Sequence, residues 1–158
     1  MAQTTLSHRA NVKRISLQLG IIEPADIVAW ADDEIEASDV PASPLVDLSL
    51  GRTIPVAELV SLLGSLVTNS ADLEPLKEVL RQVADRIRSN DMKPEAAIVS
   101  IYNYLKIDRD DDDLYITFLT LEDDYADIRD GIYGDGDLSV LREPLLNELD
   151  AFTSSNAG

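Results

Sequence analysis

Apolar residues recur along most of the chain at steps of three and four, the spacing that places side chains on one face of an α-helix. The pattern is clearest in three stretches, which are Val12, Ile15, Leu19 and Ile22; Leu73, Leu76, Leu80, Val83 and Ile87; and Leu138, Leu141, Leu145, Leu149 and Phe152. Polar, glycine or proline breaks separate such stretches, and no convincing pair of strands stands out. We therefore predict an all-α fold, a compact bundle of about seven or eight short antiparallel helices.

One segment has a second interpretation. Residues 114–118 read Leu-Tyr-Ile-Thr-Phe, a β-branched and aromatic composition that is typical of strands. The apolar series that begins there nevertheless keeps helical steps over a much longer range, through Leu114, Phe118, Leu121, Tyr125, Ile128 and Ile132. Because the longer series covers several turns, it favours a helix over a strand.

Length and composition predict one folded unit. The chain has 158 residues, of which 45% are hydrophobic, and this is enough to bury a sizeable core. No linker is long enough to divide it into two domains. We predict a single helical domain over residues 1–152 and a disordered C-terminal tail over residues 153–158.

The absence of cysteine excludes several kinds of chemistry. With no cysteine in the sequence, the protein cannot form disulfides, thiolate nucleophiles or cysteine-ligated metal sites. No apolar run approaches the roughly 18 residues that a membrane span requires. The N-terminus also lacks the continuous apolar core of a signal peptide. We therefore expect a cytoplasmic protein with no membrane partner.

The acidic residues are concentrated in the last third of the chain. Residues 108–150 contain fifteen Asp and Glu but only three bases, Arg109, Arg129 and Arg142, which gives a local net charge of −12. The remainder up to residue 107 has a net charge of −5, so the two parts account for the total of −17. Such a surface repels phosphates, and we expect neither nucleic acid nor an anionic membrane as a partner. The concentration indicates a basic protein partner.

Catalytic candidates are few. The one histidine, His8, has no acid beside it in sequence, and no serine lies in a Gly-x-Ser-x-Gly motif. Asp123-Asp124-Tyr125-Ala126-Asp127 matches the D-D-x-x-D pattern with which isoprenyl-diphosphate synthases hold magnesium. Those enzymes also need a second acidic motif and basic diphosphate-binding residues, which this chain lacks. We predict that the protein is not an enzyme.

The acidic run at residues 108–113 is the best candidate for a calcium loop. An EF-hand loop that starts at Asp108 requires glycine at its sixth position and glutamate at its twelfth. Those positions hold Asp113 and Leu119. We predict no dedicated metal site and no cofactor, and leave weak binding of divalent cations open.

The remaining candidate is the acidic surface itself. On a helix over residues 122–134, Asp123, Asp127 and Asp130 fall on one side, away from the apolar residues. The predicted partner-binding residues are Asp110, Asp111, Asp112, Asp113, Asp123, Tyr125, Asp127, Asp130 and Tyr133, with Tyr115 as a further aromatic candidate. Two alternatives stay open: the acidity serves solubility alone, or the basic helix at residues 73–88 pairs with it internally.

One segment resembles known proteins. It contains Trp30-Ala31-Asp32, Ile35 and Pro41-Ala42-Ser43-Pro44-Leu45-Val46-Asp47-Leu48-Ser49-Leu50, and it is similar to a motif of small helical bacterial proteins. These include immunity-type proteins that accompany polymorphic or contact-dependent toxins. The resemblance covers about 20 of the 158 residues. It implies a cytoplasmic helical protein that binds and blocks a toxin domain, and it does not identify the toxin.

Taken together, these observations predict an acidic protein-binding module. We expect an immunity-type inhibitor that blocks a basic, nuclease-like toxin domain, since such domains carry the cations that hold nucleic acid. The alternative is a structural or adaptor subunit of a protein complex with no inhibitory role. The sequence does not decide between a monomer and a dimer.

Overall fold

The computed structural model of the chain describes residues 4–108, 110–132 and 136–155. The helices are α1 (Leu6–Gln18), α2 (Pro24–Glu36), α3 (Ser43–Ser49), α4 (Val56–Gly64), α5 (Glu74–Arg88), α6 (Pro94–Ile107), α7 (Asp112–Arg129) and α8 (Arg142–Ser154), with 3₁₀ turns at Gly51–Thr53 and Leu138–Leu141. No β-strand occurs among the described residues, and the all-α prediction is confirmed. None of these helices is both long enough and apolar enough to cross a membrane.

The ambiguous segment at residues 114–118 is helical. It forms the first turns of α7, where Leu114 and Phe118 are buried, at 5% and 0% exposure. Ile116 lies between them in sequence and is 57% exposed. In a strand these three side chains would share one face, so their different burial follows the helical period.

Prolines mark several helix starts, as the sequence predicts. Pro24 and Pro94 occupy the first positions of α2 and α6, where a missing N–H costs nothing because it has no partner within the helix. Pro144 does not kink a longer helix. The chain enters through the 3₁₀ turn Leu138–Leu141, and α8 begins at Arg142, so Pro144 lies within its first turn.

The contacts within the chain divide it into two compact units, Met1–Leu76 and Lys77–Gly158. The single domain predicted over residues 1–152, with a tail from residue 153, stays a prediction. The last helix continues to Ser154, and residues 156–158 lie outside the described part of the chain.

The first unit has its own apolar core. Its buried members come from the first four helices and the residues around them, and they are Ala10, Leu17, Ile27, Ala31, Leu45, Leu48, Leu59, Leu63 and Leu66. An ion pair joins α1 to α2 at its edge, since Arg9 Nε lies 2.6 Å and Arg9 Nη2 2.9 Å from the two carboxylate oxygens of Glu34. Such a two-point geometry fixes the orientation of both side chains.

The second unit contains the acidic third of the chain. Its α6 packs against α7, and α8 packs against both. The buried side chains of these three helices include Ile98, Ile101, Phe118, Leu145 and Leu149, each at 0% or 1% exposure. The packing leaves the opposite side of α7 facing outward, and that side carries Asp112, Asp123 and Asp127, three of the predicted partner-binding residues.

Candidate protein-binding surface

The N-terminus of α7 is built from the acidic run at residues 108–113. Asp111 is the N-cap, and its Oδ1 accepts a hydrogen bond from the Leu114 backbone N–H at 2.9 Å. Asp112 and Asp113 follow in the first turn, where the partial positive charge of the helix end favours carboxylates. The acidic run therefore has two roles: it starts α7, and it contributes to the charged surface.

Two sides of α7 carry different chemistry. Leu114, Phe118 and Leu121 are buried. At about 100° per residue, Asp123, Asp127 and Asp130 fall within about 60° of Asp112, on the side opposite to the buried positions, whereas Asp113, Glu122 and Asp124 fall on the flanks of the helix. We call this side the α7 acidic face, and it consists of Asp112, Ile116, Asp123, Asp127 and Asp130.

The predicted site residues form two groups on this helix, not one. Asp110 to Asp113 lie at its N-terminal end, whereas Asp123 lies eleven residues beyond Asp112. At a rise of 1.5 Å per residue, this separation is about 16 Å along the axis. A partner that contacts both groups must therefore present cations along several turns of α7.

The C-terminal end of α7 is earlier than the sequence predicts. The expected helix over residues 122–134 ends at Arg129, because Gly131 adopts a φ of +77° that continues no right-handed helix. Gly131 N–H donates to the Ile128 carbonyl at 3.1 Å and Ile132 N–H to the Asp127 carbonyl at 2.9 Å, which is the Schellman pattern. Ile132 consequently leaves the apolar series and is 65% exposed.

Several of the predicted carboxylates already have partners within the chain. Asp110 accepts a hydrogen bond from the Tyr104 hydroxyl at 2.5 Å, and Asp111 is the helix cap. Asp130 lies 3.1 Å from Nε of Arg129. These three side chains help to shape the turn before α7 and the end of the helix, in addition to any contact with another protein.

Asp123 and Asp127 differ from these. Asp123 is exposed and Asp127 is half-buried. Among the described residues, neither carboxylate forms a hydrogen bond or an ion pair. They lie one turn apart on the α7 acidic face, so the helix presents two adjacent negative charges that its own cations do not neutralise.

Two basic residues of α5, Lys77 and Arg81, contact the C-terminal end of α8. Lys77 Nζ donates to the Ser155 carbonyl at 2.6 Å and lies 5.8 Å from the centre of the Phe152 ring. Arg81 donates to the Thr153 carbonyl at 2.9 Å. Cations are favoured at a helix C-terminus, so these contacts stabilise the end of α8.

The basic helix α5 does form an ion pair with an acidic residue, but that residue is not one of the predicted partner-binding residues. Arg88 pairs with Asp150 of α8 at 2.5 Å, and this contact raises the pKa of Arg88. The spacing of apolar and basic residues in α5 predicts Lys77 on the outer side of the helix, and this prediction is wrong. Lys77 is only 2% exposed, and the Ser155 carbonyl accepts a hydrogen bond from its ammonium.

The tyrosines predicted as binding anchors are held within the fold. Tyr115 stacks on Tyr102 with ring centres 6.0 Å apart and planes at 15°. Arg129 lies 5.3 Å above the Tyr125 ring. Both Tyr115 and Tyr125 are half-buried, not fully exposed, and Tyr133 lies outside the described residues.

Acidic neighbours also affect the tyrosine stack. Burial raises the pKa of the Tyr102 phenol, and the Tyr115 phenol and the Glu122 and Asp123 carboxylates raise it further. Lys106 Nζ lies 5.2 Å from the centre of the same ring. The negative field of α7 therefore reaches the aromatic residues beside it.

Sequence reasoning missed an apolar position on the α7 acidic face. Ile116 lies one turn after Asp112 and is 57% exposed, in the interval between the two acidic groups. The helical period alone separates it from the buried series. An exposed isoleucine between carboxylates adds an apolar contact to a surface that is otherwise charged.

The one histidine belongs to the first unit. His8 is half-buried in α1 and lines a 250 Å³ pocket of the first unit, together with Ser7, Asn11, Thr68 and Asp72. Ser7 Oγ already accepts a hydrogen bond from the Thr68 N–H at 2.8 Å. In the described part of the chain, no three His, Asp or Glu side chains lie where they could hold a metal ion.

The chain was compared with protein-family models, with curated proteins and with solved structures, and no match was found.

Proposed function

We propose that the chain is an acidic protein-binding module that uses the α7 acidic face to bind a basic surface of another protein. The observation that carries this proposal is the pair Asp123 and Asp127, which lie one turn apart without a hydrogen bond or an ion pair among the described residues. Like charges so close together are unfavourable in the free protein, and cations of a partner would relieve that repulsion.

The proposed role of this binding is inhibition. An immunity-type inhibitor would cover the active cleft of a basic, nuclease-like toxin domain in the bacterial cytoplasm. Asp123 and Asp127 would pair with Lys and Arg that otherwise hold phosphate, and Ile116 would add an apolar contact. Support for this finer role comes from the charge distribution and from the resemblance of residues 30–50 to immunity-type proteins.

Affinity capture with a charge-reversed variant tests the proposal. The bait is the full chain, and an extract of the source cells is loaded at low salt. The Asp123→Lys/Asp127→Lys variant reverses two charges on α7. The matched control, Asp32→Lys/Glu36→Lys, makes the same change at two exposed positions one turn apart on α2.

We expect the wild-type chain and the α2 control to retain a basic protein that salt elutes, since added salt shortens the screening length and weakens exposed ion pairs. The α7 variant should lose that protein. Added to the eluted protein in equal amounts, the wild-type chain should suppress its nuclease activity. Equal capture by the α7 and α2 variants, or capture of no basic protein, would contradict the proposal.

A structural or adaptor subunit is the second candidate. Exposed apolar side chains in the second unit favour it, since Ile107, Ile132 and Val140 are 80%, 65% and 57% exposed. An assembly held by such contacts should keep its mass at high salt, whereas an electrostatic complex should dissociate. Light scattering of the captured complex with and without added salt distinguishes the two.

A further inference from the structure

The first unit contains a groove of about 340 Å³ at the end of α3 and the outer side of α4. It is lined by Asp47, Leu50, Ile54, Glu58 and Leu62. We call it the α3–α4 groove. Three apolar side chains form its floor, two carboxylates border it, and no lining residue is basic.

The local fold accounts for one apolar side chain, that of Leu50, being exposed in this groove. Leu45 and Leu48 of α3 are buried, and Leu50, the C-cap of that helix, is 73% exposed. The next residue, Gly51, passes close to α4: a Cβ atom there would lie 3.1 Å from Leu59 Cδ2. Leu50 thus directly precedes this turn and lies outside the core.

The two carboxylates indicate what the groove binds. Asp47 and Glu58 are exposed, and neither side chain forms a hydrogen bond or an ion pair within the described part of the chain. A segment with apolar side chains between Lys or Arg residues complements both the floor and the borders. A second copy of this chain, with its net charge of −17, would be repelled overall by these carboxylates.

We propose that the α3–α4 groove docks a short amphipathic segment of another protein, with apolar side chains against Leu50, Ile54 and Leu62. Lys or Arg residues at the ends of that segment pair with Asp47 and Glu58. The volume is at the low end of the range for small-molecule pockets, about 300–1,000 Å³, and suits a few side chains. This inference is independent of the function proposed for α7.

Fluorescence polarisation with a synthetic peptide tests the inference. The probe is a labelled amphipathic helical peptide with Leu at positions i, i+3 and i+7 and Lys residues at both ends. A second peptide has Glu in place of each Lys. Measurements at physiological ionic strength limit non-specific attraction to the acidic chain, since exposed charges are then screened within about 8 Å.

The main variant is Leu50→Glu, and Val40→Glu is its matched control. Val40 is 87% exposed, lies in the same unit and does not line the groove. Both substitutions add one negative charge, which by itself would strengthen attraction of a basic peptide. We expect Leu50→Glu to weaken binding of the Lys peptide at least about tenfold, as loss of an apolar anchor does, and Val40→Glu to leave it unchanged.

The border carboxylates have their own pair of variants. Asp47→Asn/Glu58→Gln should weaken binding several-fold, while Asp39→Asn/Glu36→Gln, at exposed positions outside the groove, should not. Circular dichroism checks that each variant keeps its helices.

Three results would overturn the inference. The first is equal binding by Leu50→Glu and Val40→Glu. The second is equal affinity for the Lys and Glu peptides, and the third is self-association in sedimentation velocity that Leu50→Glu removes. The Asp123→Lys/Asp127→Lys variant of α7 should still bind the probe, so this test can succeed even where the function proposed for α7 fails.

Discussion

At the residue scale, aspartates of one acidic run have different roles. Asp111 caps α7, and Asp110 accepts the Tyr104 hydroxyl. A capping aspartate is predictable, because it directly precedes an apolar helical series. The contact of Tyr104 with Asp110 was not predictable from spacing, since it depends on how the chain turns between α6 and α7. Asp110 and Asp111 were predicted only as partner-binding residues, and that role stays a prediction.

Removal of the cap should destabilise the fold. Asp111→Ala leaves the Leu114 N–H without its side-chain acceptor, and we expect the free energy of unfolding to fall by about 0.5–2 kcal/mol. Urea denaturation followed by circular dichroism measures it. Asp111→Asn should retain most of the stability, because asparagine also caps helices.

The matched control for this experiment is Asp123→Ala, in the middle of the same helix. Its carboxylate has no hydrogen bond or ion pair among the described residues, so the change should stay within about 0.5 kcal/mol. A loss as large as that of Asp111→Ala would show that Asp123 is engaged in the fold, contrary to our description of α7.

At the element scale, the spacing of apolar residues predicts the structure of α7 better than the composition of its first residues does. Residues 114–118 have the composition of a strand, yet they form the start of α7. The sequence predicts this because its apolar series extends over several turns. It did not predict the end of α7, where Gly131 terminates the helix and exposes Ile132, since an apolar residue after the end still fits the spacing.

Two alanine substitutions distinguish the helix from a strand. Phe118→Ala removes a fully buried ring and should cost about 3–5 kcal/mol. Ile116→Ala, two residues earlier, should be neutral within about 0.5 kcal/mol, because the side chain is exposed and alanine favours helices. Comparable losses in denaturant unfolding would indicate that both side chains are buried on one face, as in a strand.

At the scale of the whole molecule, charge is the property that the sequence describes best. The net charge of −17 and its concentration after residue 107 follow from composition alone. Composition does not show which carboxylates form ion pairs within the chain, because the residues that pair can be distant in sequence. Arg88 and Asp150 are 62 positions apart, and only the fold shows that they pair.

The same limit applies to the candidate surfaces. The sequence placed Asp123, Asp127 and Asp130 on one side of a helix. In the structure α7 has Asp123 and Asp127 on its outward side, and Asp130 is its C-cap. It did not indicate the α3–α4 groove, since Leu50 and Leu62 follow the same apolar spacing as the core residues. Leu50 is 73% exposed and Leu62 is partly buried, and the spacing alone does not show this.

The central claim is that Asp123 and Asp127 on the α7 acidic face accept cations of another molecule. The most direct test is a titration of the ¹⁵N-labelled chain with a short oligolysine peptide, followed by backbone amide NMR. We expect the largest shift changes along α7 and their loss in Asp123→Asn/Asp127→Asn, but not in Asp32→Asn/Glu36→Gln. Changes spread evenly over the acidic residues of both units, or unaffected by the α7 substitutions, would contradict the claim.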